Sequence, residues 1–307
     1  MFEKWYALDP GSYELRLYDY QNDEIVTYRS CIAYKGYEIV GLAKDALEYV
    51  YHQNKSTQVK YPMDKGYIKS DVFPLLNKCL KDVSAPKTFY KACLRIYLTE
   101  DTPAIRKKWL SQIQDTIVKR VDFVSEKDLL KSDAIRFCIH AGHSYTRIML
   151  MMNGKSLFDQ KIDFAGQQID EMIQSVVTRK TQCLISSEDA KNLKEAASRT
   201  LKQNKNARLS CFAMNRYQQY QKIEVSAMDI WPCMEQTHQQ ILLWTKYCFD
   251  KMTLEMKEKV MVEGIYLTGG LADCFGLRQY LEYELKCPVH CDEKPALVMI
   301  EKMKGMR

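Results

Sequence analysis

Long hydrophobic runs, an export signal and low-complexity segments are all missing from this sequence of 307 residues. No stretch has about 18 or more consecutive apolar residues, so a transmembrane helix is not expected. The start, MFEKWYALDPG, lacks the apolar core of a signal peptide and instead predicts a β-strand. Without low-complexity stretches we also expect little disorder.

A strong charge imbalance is missing as well. The net charge is +6, and the basic clusters at 202–208 and 302–307 are short. Such clusters predict solvated surface, so no nucleic acid is expected as a partner. The eleven cysteines are scattered and, without an export signal, predict reduced thiols in a cytosol. The motif CPVHC at 287–291 has no second cysteine pair, so no metal site is expected.

The composition that remains is that of a soluble globular protein, with 46% hydrophobic and 27% charged residues. Two stretches, 6–34 and 137–166, share one pattern of strand, glycine-containing turn, strand, polar turn and strand. Each predicts a three-stranded meander. Gly11 and Gly142 occupy equivalent places 131 positions apart (142 minus 11). We therefore predict a duplication, with two related domains and a cleft between them.

Helical patterns alternate with these strands, which indicates an α/β class. Thr102 followed by Pro103 predicts a helix start over 102–117, and apolar spacing predicts a helix over 166–180. Pro232 is expected to kink or divide a further helix. The run VMVEGIYLTGG at 260–270 predicts a buried strand followed by a glycine turn.

Five motifs, in order along nearly the whole chain, resemble those of the bacterial actin homologue MreB, a member of the actin and hexokinase superfamily. LDPGSY at 8–13 resembles the first phosphate loop, Asp-x-Gly-Thr, and EIVGLAKDAL at 38–47 resembles the segment after the first meander. YPMDKGYIKSDVFPLLNKCL at 61–80 resembles a stretch specific to MreB. FAGQQIDEMI at 164–173 resembles Gly-Gly-Asp-x-Phe-Asp-Glu, and LTGGLA at 267–272 resembles the adenosine loop.

The resemblance implies an α/β actin-like ATPase fold, with two duplicated ribonuclease-H-like domains around an interdomain cleft that binds ATP or ADP with Mg²⁺. The implied domains are 1–134, onto which a C-terminal helix at 293–307 packs back, and 135–292. Two interpretations of the glycine pair at 269–270 stay open: it lies under an adenosine, or it is an inherited turn without a ligand. The implied nucleotide-binding positions are Asp9, Gly11, Ser12, Tyr13, Glu14, Gly142, His143, Ser144, Lys191, Lys194, Gly269, Gly270, Leu271 and Ala272.

The second phosphate loop departs from the family pattern, Asp-x-Gly-Gly-Gly-Thr. Aligned on 139–144, it has Ile139 in place of the acid that organises metal and water, and Ala141 and His143 in place of two glycines. Isoleucine cannot bind Mg²⁺ or orient a water. The added Cβ atoms are expected to restrict the approach of phosphate oxygens.

The first loop and the catalytic segment depart as well. Pro10 removes one N–H donor, and Glu14 adds a negative charge that is expected to repel a triphosphate. Glu126 is the one candidate for the glutamate that positions water, with a solvated loop carboxylate as the plainer interpretation. We therefore expect a degenerate ATPase in which hydrolysis is weak or lost.

The resemblance implies a filament-forming or filament-associated cytoskeletal protein for cell shape, in the cytoplasm or at the inner face of the cell membrane. Its implied partners are copies of itself, another MreB-type actin and cell-shape membrane proteins. Phe89 and Tyr90, in the loop 83–93, are either a peripheral membrane contact or ordinary aromatic residues before the next strand. Two alternatives stay open: a nonpolymerising actin-like scaffold of the cell-division or pilus-assembly type, and a superfamily sugar or acetate kinase.

Overall fold

The computed structural model describes residues 2–52, 56–83 and 90–306. The chain divides into two compact units, of which the first comprises Met1–Leu130 and Leu297–Arg307 and the second Lys131–Ala296. Among the residues described, no helix is both long and apolar enough to cross a bilayer.

The predicted membrane-contact residues cannot be placed by side chain. Phe89 lies outside the described residues, and the side chain of Tyr90, the first residue of a strand, is also outside them. Membrane contact through this pair stays a prediction.

Strands and helices alternate along the chain in both units. The strands are β1 (Phe2–Pro10), β2 (Glu14–Asp19), β3 (Glu24–Arg29), β4 (Ile32–Lys35), β5 (Glu38–Leu42), β6 (Thr57–Lys60), β7 (Met63–Asp64), β8 (Tyr67–Ile68), β9 (Tyr90–Leu98), β10 (Val118–Ser125), β11 (Arg136–Ala141), β12 (Thr146–Met152), β13 (Lys155–Ile162), β14 (Arg208–Met214), β15 (Tyr220–Ser226), β16 (Ile265–Thr268) and β17 (Val289–Cys291). The α-helices are α1 (Phe73–Val83), α2 (Pro103–Ile113), α3 (Glu126–Leu130), α4 (Gly166–Thr181), α5 (Ser187–Thr200), α6 (Ala227–Asp250), α7 (Leu254–Glu263), α8 (Leu277–Leu285) and α9 (Val298–Lys304). Short 3₁₀ segments cover Ala43–His52, Gly270–Asp273 and Pro295–Leu297.

The main sheet of the first unit has the order β10-β9-β1-β2-β3. Strands β1, β2 and β3 form the predicted antiparallel meander, whereas β9 and β10 join it in parallel. Smaller sheets of the same unit are β5-β4-β6 and β7-β8. The core between the main sheet and helices α1 and α2 contains Tyr6, Leu8, Leu75 and Trp109, all at most 1% exposed.

The main sheet of the second unit repeats this arrangement in the order β17-β16-β11-β12-β13. Strands β11, β12 and β13 form the second predicted meander, and β16 and β17 add in parallel. Both predicted meanders are thus confirmed, and each unit has the same strand directions in the same order. Phe137 and Ile139 of β11, together with apolar residues of α4, α5 and α6, form the core of this unit.

The register of the first two strands is also repeated. Asp9 lies opposite Arg16 in the first unit, and His140 lies opposite Arg147 in the second. A shift of 131 positions converts one pair into the other, which is the same shift that relates Gly11 to Gly142. The duplication therefore extends to individual ladder partners.

Helix α9 completes the first unit, because it packs against β1, β2 and β9. The hydroxyl of Tyr20 donates a hydrogen bond to the carbonyl of Met303 at 2.5 Å. Met299, Ile300 and Met303 are buried on its inner side.

Several predicted elements differ from those observed. The helix that begins at Pro103, capped by the Thr102 hydroxyl, ends at Ile113 and not at 117. Pro232 lies in the second turn of an undivided α6, because only one N–H donor is lost near the helix start. The stretch 260–263 is the end of α7 and not part of a strand. A short apolar run does not by itself separate the two structures.

Candidate functional site

The turn between β1 and β2 is shaped by Gly11. Its N–H donates to the carbonyl of Asp9 at 3.1 Å. A Cβ atom on Gly11 would lie 2.5 Å from the carbonyl oxygen of Glu14, which is far inside van der Waals contact. Glycine is therefore required here by the turn itself, whether or not a ligand binds.

Arg16 pairs with both acidic side chains of this turn. Its guanidinium contacts the carboxylate of Asp9 at 3.0 Å and that of Glu14 at 3.0 Å. Asp9 is buried and Glu14 partly buried, so these ion pairs are stronger than solvated ones. One guanidinium thus serves two carboxylates, which leaves one net negative charge in the turn, and the repulsion of a triphosphate by Glu14 stays a prediction.

Tyr13 is held in the same turn by Arg29. The guanidinium carbon lies 3.1 Å from the centroid of the Tyr13 ring, and Nη1 donates to the Tyr13 carbonyl at 2.8 Å. Ser12 and Tyr13 are both partly buried. The aromatic side chain of Tyr13 is thus packed on a cation of β3.

The turn between β11 and β12 also brings its glycine close to the carbonyl of the third residue after it, although the glycine N–H has a different hydrogen-bond partner. The N–H of Gly142 donates to the carbonyl of Tyr145 at 2.9 Å, and a Cβ atom on Gly142 would lie 3.0 Å from that oxygen. Tyr145 is the position equivalent to Glu14. Ser144 is buried, whereas the His143 side chain is 26% exposed.

The strand register corrects the alignment of this turn. The position equivalent to Asp9 is His140, and not Ile139 as aligned from the sequence. Ile139 is fully buried in the apolar core, on the opposite face of the strand from His140. The imidazole of His140 therefore stands at the position equivalent to Asp9, and Ala141 stands at the position equivalent to Pro10. Gly142 is the retained glycine, followed by His143 and Ser144.

The start of α4 is bound to this turn. The N–H of Gly166 donates to the carbonyl of Gly142 at 3.1 Å, and the N–H of Gln167 donates to that of His143 at 2.7 Å. A Cβ atom on Gly166 would meet Lys194 Nζ at 3.3 Å. The FAGQQ segment that resembled a family motif thus supports the second turn.

Lys194 is a buried cation inside this support. Its Nζ lies 2.7 Å from Asp170 Oδ1 and donates to the carbonyl of Gly166 at 3.0 Å. His143 Nδ1 lies 3.9 Å from Asp170 Oδ2. Burial raises the pKa of Asp170 to about 6, although the Lys194 ammonium opposes this shift. Lys194 thus has a structural role, and its contact with a nucleotide stays a prediction.

The glycine pair after β16 contains two different kinds of glycine. Gly269 has φ +91°, and a Cβ atom there would lie 2.3 Å from the carbonyl oxygen of Ala141. Its N–H donates to the carbonyl of Pro295 at 3.0 Å. Gly270 is exposed and has no positive φ. A Cβ atom added there would have the Cβ of Ala296 as its nearest neighbour, at 3.8 Å. The protein itself requires the first glycine but not the second.

The remaining candidates lie in the two units as follows. Leu271 and Ala272 are buried in the 3₁₀ segment after Gly270, and Lys191 pairs with Glu195 on α5. Glu126 begins α3 and is fully buried, so the interpretation as a solvated loop carboxylate is wrong.

The second unit brings several predicted residues together, because Gly142, His143 and Lys194 meet around Gly166, and Gly269 abuts Ala141. Asp9, Gly11 and Glu14 meet in the first unit. Sequence reasoning missed Arg16, His140 and Asp170 as parts of these sites. Equal spacing from the two turn glycines was the signal that could have found His140.

Comparison with known proteins connects these turns to a family. The MreB/Mbl protein family model matches residues 3–306. No curated protein matched the chain.

Three solved structures share the fold at low identity. MreB5 of Spiroplasma citri bound to ADP has a TM-score of 0.87 at 16% identity, covering 99% of this chain and 96% of that chain. MreB5 of Spiroplasma citri bound to AMPPNP has a TM-score of 0.84 at 16% identity, with coverage of 100% and 96%. The MamK double helical filament has a TM-score of 0.79 at 16% identity, with coverage of 99% and 98%.

These structures establish the mixed α/β actin-like fold, with a sheet in each of two units. The family match spans nearly all of the sequence, and the predicted motifs lie within it. The chain therefore belongs to the MreB/Mbl family of bacterial actin homologues.

Proposed function

We propose that this protein is a nucleotide-binding bacterial actin that binds ATP or ADP, assembles with copies of itself, and hydrolyses ATP slowly or not at all. The observation that carries the proposal is the pair of equivalent turns at Gly11 and Gly142, built on one repeated strand register. The corresponding turns of the family are its phosphate loops. MreB5 bound to ADP or AMPPNP and the MamK double helical filament give further support.

Gly270 supports an adenosine contact. The turn after β16 closes onto Ala141 through Gly269, whereas the space over Gly270 is open to solvent. Since the chain does not itself require glycine at 270, a ligand surface lying close to the backbone is the simplest reason for it. This favours the first of the two interpretations of the glycine pair.

Slow hydrolysis follows from two side chains. A carboxylate that orients an attacking water has to reach that water, and Glu126 is enclosed in the first unit. In the second unit, an imidazole at position 140 replaces the acid of the family. Losing such positioning costs several kcal/mol of transition-state stabilisation, about 3 kcal/mol or more.

Calorimetric titration with ATP and ADP tests the binding site. Gly270→Ala should weaken binding about tenfold, because one added methyl against a close ligand costs about 1–3 kcal/mol. Gly305→Ala is the matched control, because Gly305 also lacks a positive φ. A Cβ atom added there would lie 3.6 Å from its nearest neighbour, the carbonyl oxygen of Lys302. The proposal fails if the wild-type chain binds neither nucleotide, and the adenosine contact fails if both variants bind equally.

Sedimentation and electron microscopy, with and without ATP, test assembly. Filaments together with slow phosphate release are the expected result. Nucleotide binding without filaments would favour the nonpolymerising scaffold. Phosphate transfer to a sugar or to acetate, again without filaments, would favour the kinase.

A further inference from the structure

The hairpin of β14 and β15, in the second unit, has one buried face and one exposed face. Leu209, Ala213 and Ile223 of the buried face belong to the core, where the hairpin packs against α5 and α6. Side chains alternate along a strand, so Phe212 and Met214 lie on the opposite face. Phe212 is 62% exposed there.

Two further side chains extend this exposed face. Leu184 lies opposite Met214, and the two residues exchange both backbone hydrogen bonds at 2.8 Å. Directly paired residues have their side chains on the same face, so Leu184, which is 56% exposed, lies beside Met214. Tyr217, in the turn of the hairpin, is 66% exposed. We call Leu184, Phe212, Met214 and Tyr217 the hairpin surface; exposed apolar residues grouped in this way are typical of a binding site.

Two cations lie within the hairpin surface. Lys222 is the ladder partner of Phe212, and the guanidinium carbon of Arg216 lies 4.7 Å from the centroid of the Tyr217 ring. In the described part of the chain, neither Lys222 nor Arg216 has a carboxylate partner, whereas the exposed Arg208 pairs with Glu224 at 3.6 Å. The hairpin surface therefore combines apolar side chains with two uncompensated positive charges.

The sequence around the hairpin surface carries the positive charge of the whole chain. The stretch 196–223 has no acidic residue and contains six basic ones, which are Arg199, Lys202, Lys205, Arg208, Arg216 and Lys222. Without these six, the 39 remaining basic residues equal the 39 acidic residues of the chain. The net charge of +6 is therefore concentrated in the segment that ends α5 and forms this hairpin.

We propose that the hairpin surface binds a membrane that carries anionic lipids. Aromatic and aliphatic side chains enter the headgroup region of a bilayer, while lysine and arginine beside them attract anionic headgroups. A second copy of the chain offers no net negative charge outside this segment, and the bases of a nucleic acid would stack on the rings but make no such use of Leu184. The contact is separate from the loop 83–93 and does not depend on nucleotide binding.

Vesicle flotation with the full chain, in the absence of nucleotide, tests the proposal. One set of vesicles contains phosphatidylcholine alone, and the other contains about 30% phosphatidylglycerol in addition. Lipid-bound protein floats whereas filaments sink, so assembly does not imitate binding. Binding should occur only to the anionic vesicles and should weaken about tenfold when NaCl is raised from about 0.1 M to about 0.5 M. Absence of binding, or equal binding to both kinds of vesicle, overturns the proposal.

Substitutions with matched controls test whether this surface makes the contact. Leu184→Ser and Phe212→Ser should each weaken binding about tenfold, because an apolar side chain no longer enters the bilayer. Leu243→Ser is the control, since Leu243 is 60% exposed on α6, about 24 Å along the helix from its start beside β15. Lys222→Gln should weaken binding about fivefold, whereas Lys155→Gln, at an exposed position of β13, should change it less than about twofold.

Equal effects of the test and control variants would overturn the assignment of the hairpin surface. Two further measurements identify another occupant. Fluorescence anisotropy with a single-stranded oligonucleotide detects a nucleic-acid surface, and analytical ultracentrifugation without vesicles detects an interface between copies. If either interaction is lost in Phe212→Ser while wild type does not bind anionic vesicles, the lipid proposal is overturned in favour of that occupant. Circular dichroism melts verify that every variant is folded.

Discussion

Replacing Gly269 by alanine should destabilise the second unit even when no ligand is present. The residue has φ +91°, in a region that residues with a side chain rarely adopt, and strain of this kind costs about 1–3 kcal/mol. The new methyl would also lie 2.3 Å from the carbonyl oxygen of Ala141 and 2.6 Å from the His140 ring. Relieving such a contact by a backbone shift costs about a further 1–3 kcal/mol.

Together these costs predict a loss of about 4 kcal/mol in the free energy of unfolding. For a unit of this size, that loss corresponds to a fall of about 8–16 °C in Tm. Urea unfolding followed by far-UV circular dichroism, together with a thermal melt, measures both quantities. No nucleotide is added, so the effect on folding is separated from any effect on binding.

Gly270→Ala is the matched control in the same turn. Gly270 has no positive φ, and its added Cβ atom would lie 3.8 Å from the Cβ of Ala296, which is ordinary van der Waals contact. Stability should therefore be unchanged, or about 0.4–1 kcal/mol higher because alanine reduces the conformational entropy of the unfolded chain. If Gly269→Ala unfolds within about 0.5 kcal/mol of Gly270→Ala, the close approach of this turn to β11 is refuted.

Four further predictions concern buried side chains of the second unit. Lys194→Met should cost about 3–5 kcal/mol at pH 8, because the Asp170 carboxylate is left buried without its ammonium partner. Burial raises the pKa of Asp170 from 3.8 to about 6, so between about pH 4 and pH 6 the folded state binds more protons than the unfolded state. Wild-type stability should therefore decrease as pH rises from about 4 to about 6. Relative to Asp170→Asn, that loss should approach about 3 kcal/mol in urea unfolding, and a flat difference would contradict it. Burial lowers the pKa of His238 from 6.5 to about 4, so acidification from pH 6.5 towards pH 4 should destabilise wild type by up to about 3 kcal/mol relative to His238→Leu; an unchanged difference would refute this. Ile139→Asp should unfold the second unit by placing a carboxylate in its apolar core, at a cost above about 3 kcal/mol, whereas His140→Asp should remain folded in a thermal melt.

Much of the fold was accessible from the sequence because local signals agreed with the tertiary structure. Both meanders and the helix starts at Pro103 and Gly166 follow from turn residues, caps and apolar spacing. The order of five motifs identified the family, which the match over 3–306 confirms. These signals act over a few residues or recur in fixed order, so a single sequence carries them.

The details of the site were less accessible from the sequence. They depend on which residues of neighbouring strands pair and on which face of the sheet each side chain lies. The error at Ile139 was a slip of one residue, and in a strand such a slip exchanges the buried face for the other one. Neither the burial of Glu126 nor the pairing of Asp9 and Glu14 with Arg16 is encoded by a local pattern. The strand predicted at 260–263 is in fact the end of α7. This prediction was wrong for a related reason, since a short apolar run fits both a helix and a strand.

The repeated register of β1–β2 and β11–β12 has a consequence for tracing ancestry within duplicated folds. Arg16 and Arg147 remain at corresponding rungs, although Arg16 contacts Asp9 and Glu14 whereas Arg147 contacts Asp159 of the adjacent strand. The hydrogen bonds between strands and the alternation of buried and exposed side chains fix which residues pair, whereas a single substitution can change a side chain from acidic to neutral or basic. In strongly diverged copies, corresponding residues are therefore found by counting rungs from a shared glycine rather than by matching amino-acid types.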